Sequence, residues 1–454
     1  MSSDKHDGKI SHALSGGGAL SRRSLVARAS ALGLSVAAAG GLQGAMAAPG
    51  ASPATHTFSA QSTKLQFFHD KAPWQDFFVK MSEQATKEID VGWEATSYSD
   101  TTSYQQVINS SLPTGSGPDL FTWWSGYRME DMYKSGQLLE TTDIWKAAIE
   151  AGDLPESLAA GFTFDGKQYG IPQGASYWVM YYNKHVFEDN ELTPPTTWDE
   201  FTAAAAKIKD AGVTPFFATI DGRWPAFIWF EEFLIKSNPQ FYVDVCNGKA
   251  KYTDEPAVKA LAAWKDFIDK EYFTDLDLPM DQNMTAMFAN GEIAMAPVGT
   301  WFQQQFIDAG MTVGTDYDIF ILPNMDASVK QNSIIVESGA ICLPANGKNT
   351  EAAQKVAVWW DQEPAQTTWS GLLGDTPANP KVKTENEALN TLLKTVTDGK
   401  YVQLQRYWEA SPPEIVENAV DELARFMLKP DEAQSVLEAI QKIADGVWSK
   451  RQAG

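Results

Sequence analysis

Residues 169–184, YGIPQGASYWVMYYNK, constrain the fold of this chain more than any other stretch. The breaker pair Pro172 and Gly174 precedes an apolar run, Trp178, Val179, Met180, Tyr181 and Tyr182, which ends at Asn183 and Lys184. Such a run reads as a strand buried on both faces. Gln173 and Ser176 are polar and stand where the strand begins, the kind of entrance at which α/β proteins hold ligands between two halves. The chain is therefore expected to change domains here.

The segments on either side support an α/β reading. Upstream, residues 65–68 form a short strand with His69, Asp70 and Lys71 at its carboxyl end. A helix then opens at Trp74 and carries Phe77, Phe78, Met81 and Ala85 on one stripe. A strand at 89–94, a helix near 104–111 with Val107 and Ile108 inward, and a strand at 119–124 complete an alternation that implies a mostly parallel sheet with helices on its faces. Asp143 reads as a helix cap, and Asp165-Gly166 as the two-residue turn of a hairpin. Downstream, Thr197 and Glu200 make a capping box for a helix reaching 211. A strand at 215–220 and a helix at 224–236 follow. Strands at 293–297 and 317–322 flank Gly299-Thr300-Trp301-Phe302, and amphipathic helices at 414–428 and 431–448 close the chain.

Of 454 residues, 44% are hydrophobic and 21% charged, enough apolar material for two cores. The formal charge of −22 disfavours nucleic acid as a partner, since that affinity comes largely from basic patches. Arg22-Arg23 leads into an Ala/Gly/Leu-rich segment, and Ala45-Met46-Ala47 has the small-x-small form of a cleavage site. Residues 1–47 thus read as a twin-arginine signal peptide cut after Ala47, which places the product in the periplasm. The alternative is a membrane anchor, but Arg28 and several glycines interrupt the apolar run. Cys246 and Cys342 are the only cysteines; one disulfide is permitted, and spacing does not show that they meet.

Enzyme signatures are sparse. Beyond residue 47 the histidines are His56, His69 and His185, without zinc-ligand spacing. No nucleophile elbow, phosphate loop or dinucleotide fingerprint is present, so no catalytic residue, metal or cofactor is assigned. Acids such as Glu231-Glu232 or Asp275, Asp277 and Asp281 keep a secreted glycoside hydrolase open as an alternative.

The order Asp119-Leu120-Phe121-Thr122-Trp123, Tyr169-Gly170-Ile171-Pro172, Tyr182-Asn183-Lys184, Gly291-Glu292-Ile293-Ala294-Met295 and Gly299-Thr300-Trp301 resembles the extracellular carbohydrate-binding proteins of ATP-driven importers, the maltose-binding-protein-like family. The resemblance implies a two-lobe periplasmic-binding-protein clamp with three interlobe crossings, near 175–178, 337–339 and 374–380. Lobe 1 would be 48–174 with 338–376, and lobe 2 would be 175–337 with 377–454, closing by a hinge. It also implies a carbohydrate ligand and membrane permease subunits as partners of a monomer. The same clamp carrying a non-sugar solute is a further alternative.

A sugar presents apolar faces, which suit flat aromatics, and a rim of hydroxyls, which suit carboxylates, amides and cations. Trp123 and Trp124 are neighbours on a strand, so only one is expected to face the cleft; the resemblance favours Trp123. Trp301 and Trp408 resemble the family's stacking positions, and Trp224 stands at a comparable place. Core filling is the competing role for each. Asp70 and Lys71 match a family pair that reaches sugar hydroxyls, with a solvated loop pair as the alternative. Ser176 departs from the acid of the maltose-binding pattern, and Glu337 on the return crossing is the expected substitute. Tyr177 joins Ser176 at the cleft floor, and Arg223 offers a fork donor or a surface ion pair.

Overall fold

The computed structural model describes residues 63–325 and 327–453, so the reading of residues 1–47 as a leader lies outside the described residues. In chain order the main strands are β1 Thr63–His69, β2 Val91–Ser97, β3 Leu120–Trp124, β4 Ile171–Pro172, β5 Ser176–Asn183, β6 Thr214–Phe216, β7 Ile293–Gly299, β8 Tyr317–Phe320, β9 Ser333–Glu337, β10 Gly339–Cys342 and β11 Val402–Gln405. The first sheet runs β2-β1-β3-β10-β4, parallel between β1 and its neighbours and antiparallel where β10 joins. The second runs β11-β9-β5-β7-β6, with β8 also paired to β5. Each sheet anchors one lobe of a two-lobe α/β clamp.

The chain passes between the sheets at residues 173–175, linking β4 to β5, and again at Ser338, linking β9 to β10. The third passage follows the helix Glu363–Leu373, whose Trp369 and Leu373 pack in the core of the first sheet, and leads to the helix Glu387–Asp398 beside β8. Burial of β5 follows its side-chain alternation: Trp178, Met180 and Tyr182 enter one apolar cluster, while Tyr177, Val179 and Tyr181 enter another. The strand thus has a core on each face, as its unbroken apolar run requires.

Local signals formed where they were expected. Thr197 accepts from the Glu200 backbone N–H, and the Glu200 carboxylate accepts from the Thr197 N–H. Asp165 and Gly166 both have positive φ, at 48° and 78°, in the hairpin turn.

Several local details differ from expectation. Ile89 belongs to the helix Gln75–Ile89, which ends at a left-handed Asp90, so the next strand starts at Val91. The residue before the helix Thr142–Ala151 is Thr141, and Asp143 lies inside its first turn. The helix Thr101–Ser111 buries Tyr104 with Ile108, leaving Val107 half-buried, because positions four apart share a face. The strand expected at 215–220 stops at Phe216, since the backbone beyond bonds instead to the 274–276 segment, Ala218 N–H to Thr274 Oγ1 and Ile220 N–H to Leu276 O. Cys246 ends a helix and Cys342 lies on β10; both are free thiols.

Candidate functional site

The three passages are tied to one another by side chains. Ser338 Oγ donates to Gly174 O at 2.7 Å, and Thr376 Oγ1 donates to Ala175 O. Gly339 lets the Gln173 amide come close, since a Cβ there would stand 2.6 Å from Gln173 Oε1 and push that side chain aside. At the centre of this junction Asp375 accepts from Ser176 Oγ and Thr300 Oγ1, each at 2.5 Å, and from the Thr376 N–H at 2.7 Å. Burial drives its carboxyl up to about 6 against the pull of those donors.

Above the junction lies a cavity of about 210 Å³ between the sheets. From the side of the first sheet come Asp70 and Lys71, just beyond β1, with Trp74 on the turn that follows and Trp123 and Trp124 on β3; from the side of the second come Trp301 on the turn after β7, Glu337 on β9 and Glu409 on the helix Tyr407–Ala410. Ser176, Asp375 and Thr376 also line it. Aromatic faces and carboxylates therefore converge from both sides, with few apolar aliphatic groups among them.

The polar groups are held firmly. Burial favours the neutral form of Asp70, yet the Lys71 ammonium and the bonds from Lys71 Nζ (3.0 Å) and Thr122 Oγ1 (2.9 Å) keep its carboxyl below the ordinary range. Glu337 Oε2 accepts from Trp178 Nε1 at 3.2 Å and Trp301 Nε1 at 3.1 Å, and pairs with Arg406 Nη1 at 3.0 Å. Arg406 also grips both oxygens of Glu409, at 2.9 and 2.5 Å. Its own burial would lower its pKa, but the Glu337 and Glu409 carboxylates hold it above the ordinary guanidinium value. One buried cation thus orients two carboxylates at the cavity and, through Glu337, the Trp301 ring.

Residues 80–394 match the family described as bacterial extracellular solute-binding protein. The chain belongs to that family. It is 25% identical over 426 residues to an uncharacterised ABC transporter extracellular-binding protein of Pyrococcus horikoshii, spanning 90% of this chain and 93% of the relative. It is also 25% identical over 326 residues to the multiple sugar-binding protein of Streptococcus mutans, spanning 67% and 73% of the two chains. Among solved structures, a bacterial solute receptor described as having an exclusive preference for β-D-galactopyranose aligns with a TM-score of 0.70 at 20% identity, over 86% of this chain and 99% of that one.

In this solute-binding protein six of the residues singled out in the sequence meet at the cavity: Asp70, Lys71, Trp123, Ser176, Trp301 and Glu337. Trp124 lines it as well and is the more exposed of the adjacent pair, while Trp123 donates Nε1 to Arg128 O. The other four lie elsewhere. Tyr177 is buried beneath the cavity floor with its hydroxyl toward Gln403, and burial pushes its phenol up to about 12. Arg223 is an exposed fork bonded to Asp421 and the Glu417 carbonyl. Trp224 packs between Phe227 and Trp301. Trp408 lies under the Arg128 guanidinium, 3.8 Å from the ring centre.

Sequence reasoning passed over Trp74, Asp375, Thr376 and Glu409. Asp375 and Thr376 fall in the segment expected to be the third crossing, so that position was the available signal. Glu409 adjoins Trp408, but nothing local marks it as the partner of Arg406. A larger cavity, about 1040 Å³, is in the second lobe between the Glu387–Asp398 helix and the 318–325 segment. It touches none of the three passages, so its size does not make it a clamp site. Among the described residues, no group of His, Cys, Asp or Glu is arranged to hold a metal, and no helix is long and apolar enough to cross a membrane.

Proposed function

We propose that this protein is the exported receptor of an ATP-driven importer and captures a neutral sugar between its lobes without altering it. The observation that carries this reading is Trp301, presented to the cavity with its indole N–H fixed by Glu337, opposite the tryptophans of the first sheet. The sugar-binding relatives agree with it. Covering ~50 Å² on each face of a sugar ring contributes only about 2.5 kcal/mol, whereas micromolar binding needs about 8 kcal/mol. Charge-assisted hydrogen bonds accepted by Asp70, Glu337 and Glu409 and donated by Lys71 would supply the remainder in a cleft that excludes water. The acids outnumber the cations there, which favours a neutral ligand over an acidic one.

The lobe limits that go with this reading are 48–174 with 338–376, and 175–337 with 377–454; strand membership in the two sheets supports them. Export through a twin-arginine leader cleaved after Ala47, a periplasmic location and a monomeric state complete the proposal, with the N-terminal motif supporting the first two. Each oxygen of Asp70, Asp375 and Glu409 already accepts from a protein donor, which fixes these carboxylates in place while their remaining lone pairs can accept from sugar hydroxyls. Calorimetry against neutral mono- and oligosaccharides, polyols and amino acids, with recovery of the ligand afterwards, tests the proposal. Saturable binding of an unchanged sugar is expected; turnover by pure protein, or binding of amino acids alone, would overturn it.

A further inference from the structure

Trp408 belongs to the second lobe, immediately before Glu409 at the cavity wall, yet it offers no open face to a ligand. The Arg128 guanidinium, from the helix Tyr127–Lys134 of the first lobe, lies 3.8 Å over the ring centre and 5.8 Å from that of Trp124. Arg128 Nε donates to Trp408 O at 3.1 Å, and Nη2 donates to Glu417 Oε1 at 2.8 Å. Phe227 stacks on Trp408 at 6.0 Å. The arginine is 9% exposed, so a cation has been taken out of water to stand between two tryptophans of opposite lobes. Burial lowers its pKa, while Glu417 opposes that shift.

We propose that Arg128 sets the length of the ligand. It fills the place where a second sugar ring would stack between Trp124 and Trp408, and it confines binding to the space in front of Trp301. That space, about 210 Å³, is smaller than the roughly 300–1,000 Å³ typical of drug-sized ligands and suits a single sugar unit. The ligand class is therefore a neutral monosaccharide. This inference rests on the receptor reading above, and it goes further by naming the residue that excludes longer chains. A planar guanidinium suits the role, because it stacks on aromatic faces while its fork holds Glu417.

The test compares wild type, Arg128→Ala and Glu417→Ala by calorimetry and thermal shift. The probes are glucose, galactose, mannose and xylose, together with disaccharides and trisaccharides of each. Wild type is expected to bind one monosaccharide at least tenfold more tightly than any longer saccharide containing it. Arg128→Ala should lower that preference at least tenfold by opening the Trp408 face. Glu417→Ala, a surface change that releases the guanidinium, should shift it the same way by less, and it decides the matter if Arg128→Ala does not fold. Equal or tighter binding of the longer saccharides by wild type, or an unchanged preference in the folded variants, overturns the length gate and leaves the receptor reading standing. Failure of every sugar to bind wild type overturns both.

Discussion

Two tryptophans of the second lobe, Trp301 and Trp408, have similar sequence credentials and different fates. Both are half-buried; Trp301 lines the cavity itself, and Trp408 immediately precedes Glu409 of its wall. Trp301 has its N–H pinned by Glu337 and its ring turned to the cavity; Trp408 is covered by Arg128. What separates a platform from a packed side chain here is one neighbour contributed by the other lobe. Burial and residue type alone do not decide it.

The largest effect should come from Arg406, which serves both ends of the cavity through Glu337 and Glu409. Arg406→Met leaves Glu409, only 4% exposed, without its counter-ion. Losing one partner of a buried pair costs about 3–5 kcal/mol, so denaturant unfolding should show a loss of that order together with abolished sugar binding. A stable variant that still binds would mean that Glu337 and Trp301 are held by other contacts.

The comparison itself is tested by truncating each ring. Trp301→Ala should weaken sugar binding by about 2 kcal/mol, roughly thirtyfold in Kd by calorimetry. Trp408→Ala should change Kd by less than about threefold, because its loss falls on packing. It should instead reduce stability by about 2–3 kcal/mol through the lost contacts with Phe227 and Arg128. Equal losses of affinity in the two variants would erase the distinction between them.

These contrasts also mark what could be read in advance. The capping box at Thr197 and Glu200, the Asp165-Gly166 turn and the doubly buried β5 depend on neighbours in sequence, and each was legible there. The family-like order of motifs then led to the clamp and to Trp301 and Glu337. The Arg128–Trp408 contact joins residues 280 apart, and Asp375 gathers donors 199 and 75 residues away, so no local pattern carries either. Arg223 and Trp224 look like ligand groups in sequence because a fork donor beside an aromatic is a common sugar pairing. In space the fork turns to Asp421 and the ring into the lobe.

A further contrast between the two ends is set by pH. Asp375 reaches the Trp301 end through Thr300, and its carboxyl sits at about 6 against 3.8 for a free aspartate. Between those values the native state binds more protons than the unfolded one. Stability contributed by this group is therefore fullest below about pH 4, falls as pH rises to about 6, and changes no further above that, by an amount on the order of 3 kcal/mol. Asp375→Asn should flatten that part of the pH-stability curve in thermal melts. An unchanged slope would assign the titration to another group.

The smallest effect is expected at Arg223, which shares Glu417 with Arg128. Its contact to Glu417 Oε2 is 3.6 Å against 2.8 Å from Arg128, and its side chain is 55% exposed against 6%. An exposed pair contributes about 0–1 kcal/mol, whereas the sandwiched Arg128 has given up its water and depends on its partners. Arg223→Ala should therefore move the melting temperature by a degree or two and leave sugar affinity within about twofold, even though Glu417 loses one of its two cations. A tenfold loss of affinity would place Arg223 in the binding cleft. It would also mean that the Trp408 end, which Arg223 borders through Glu417, contributes to the ligand site despite the arginine that covers it.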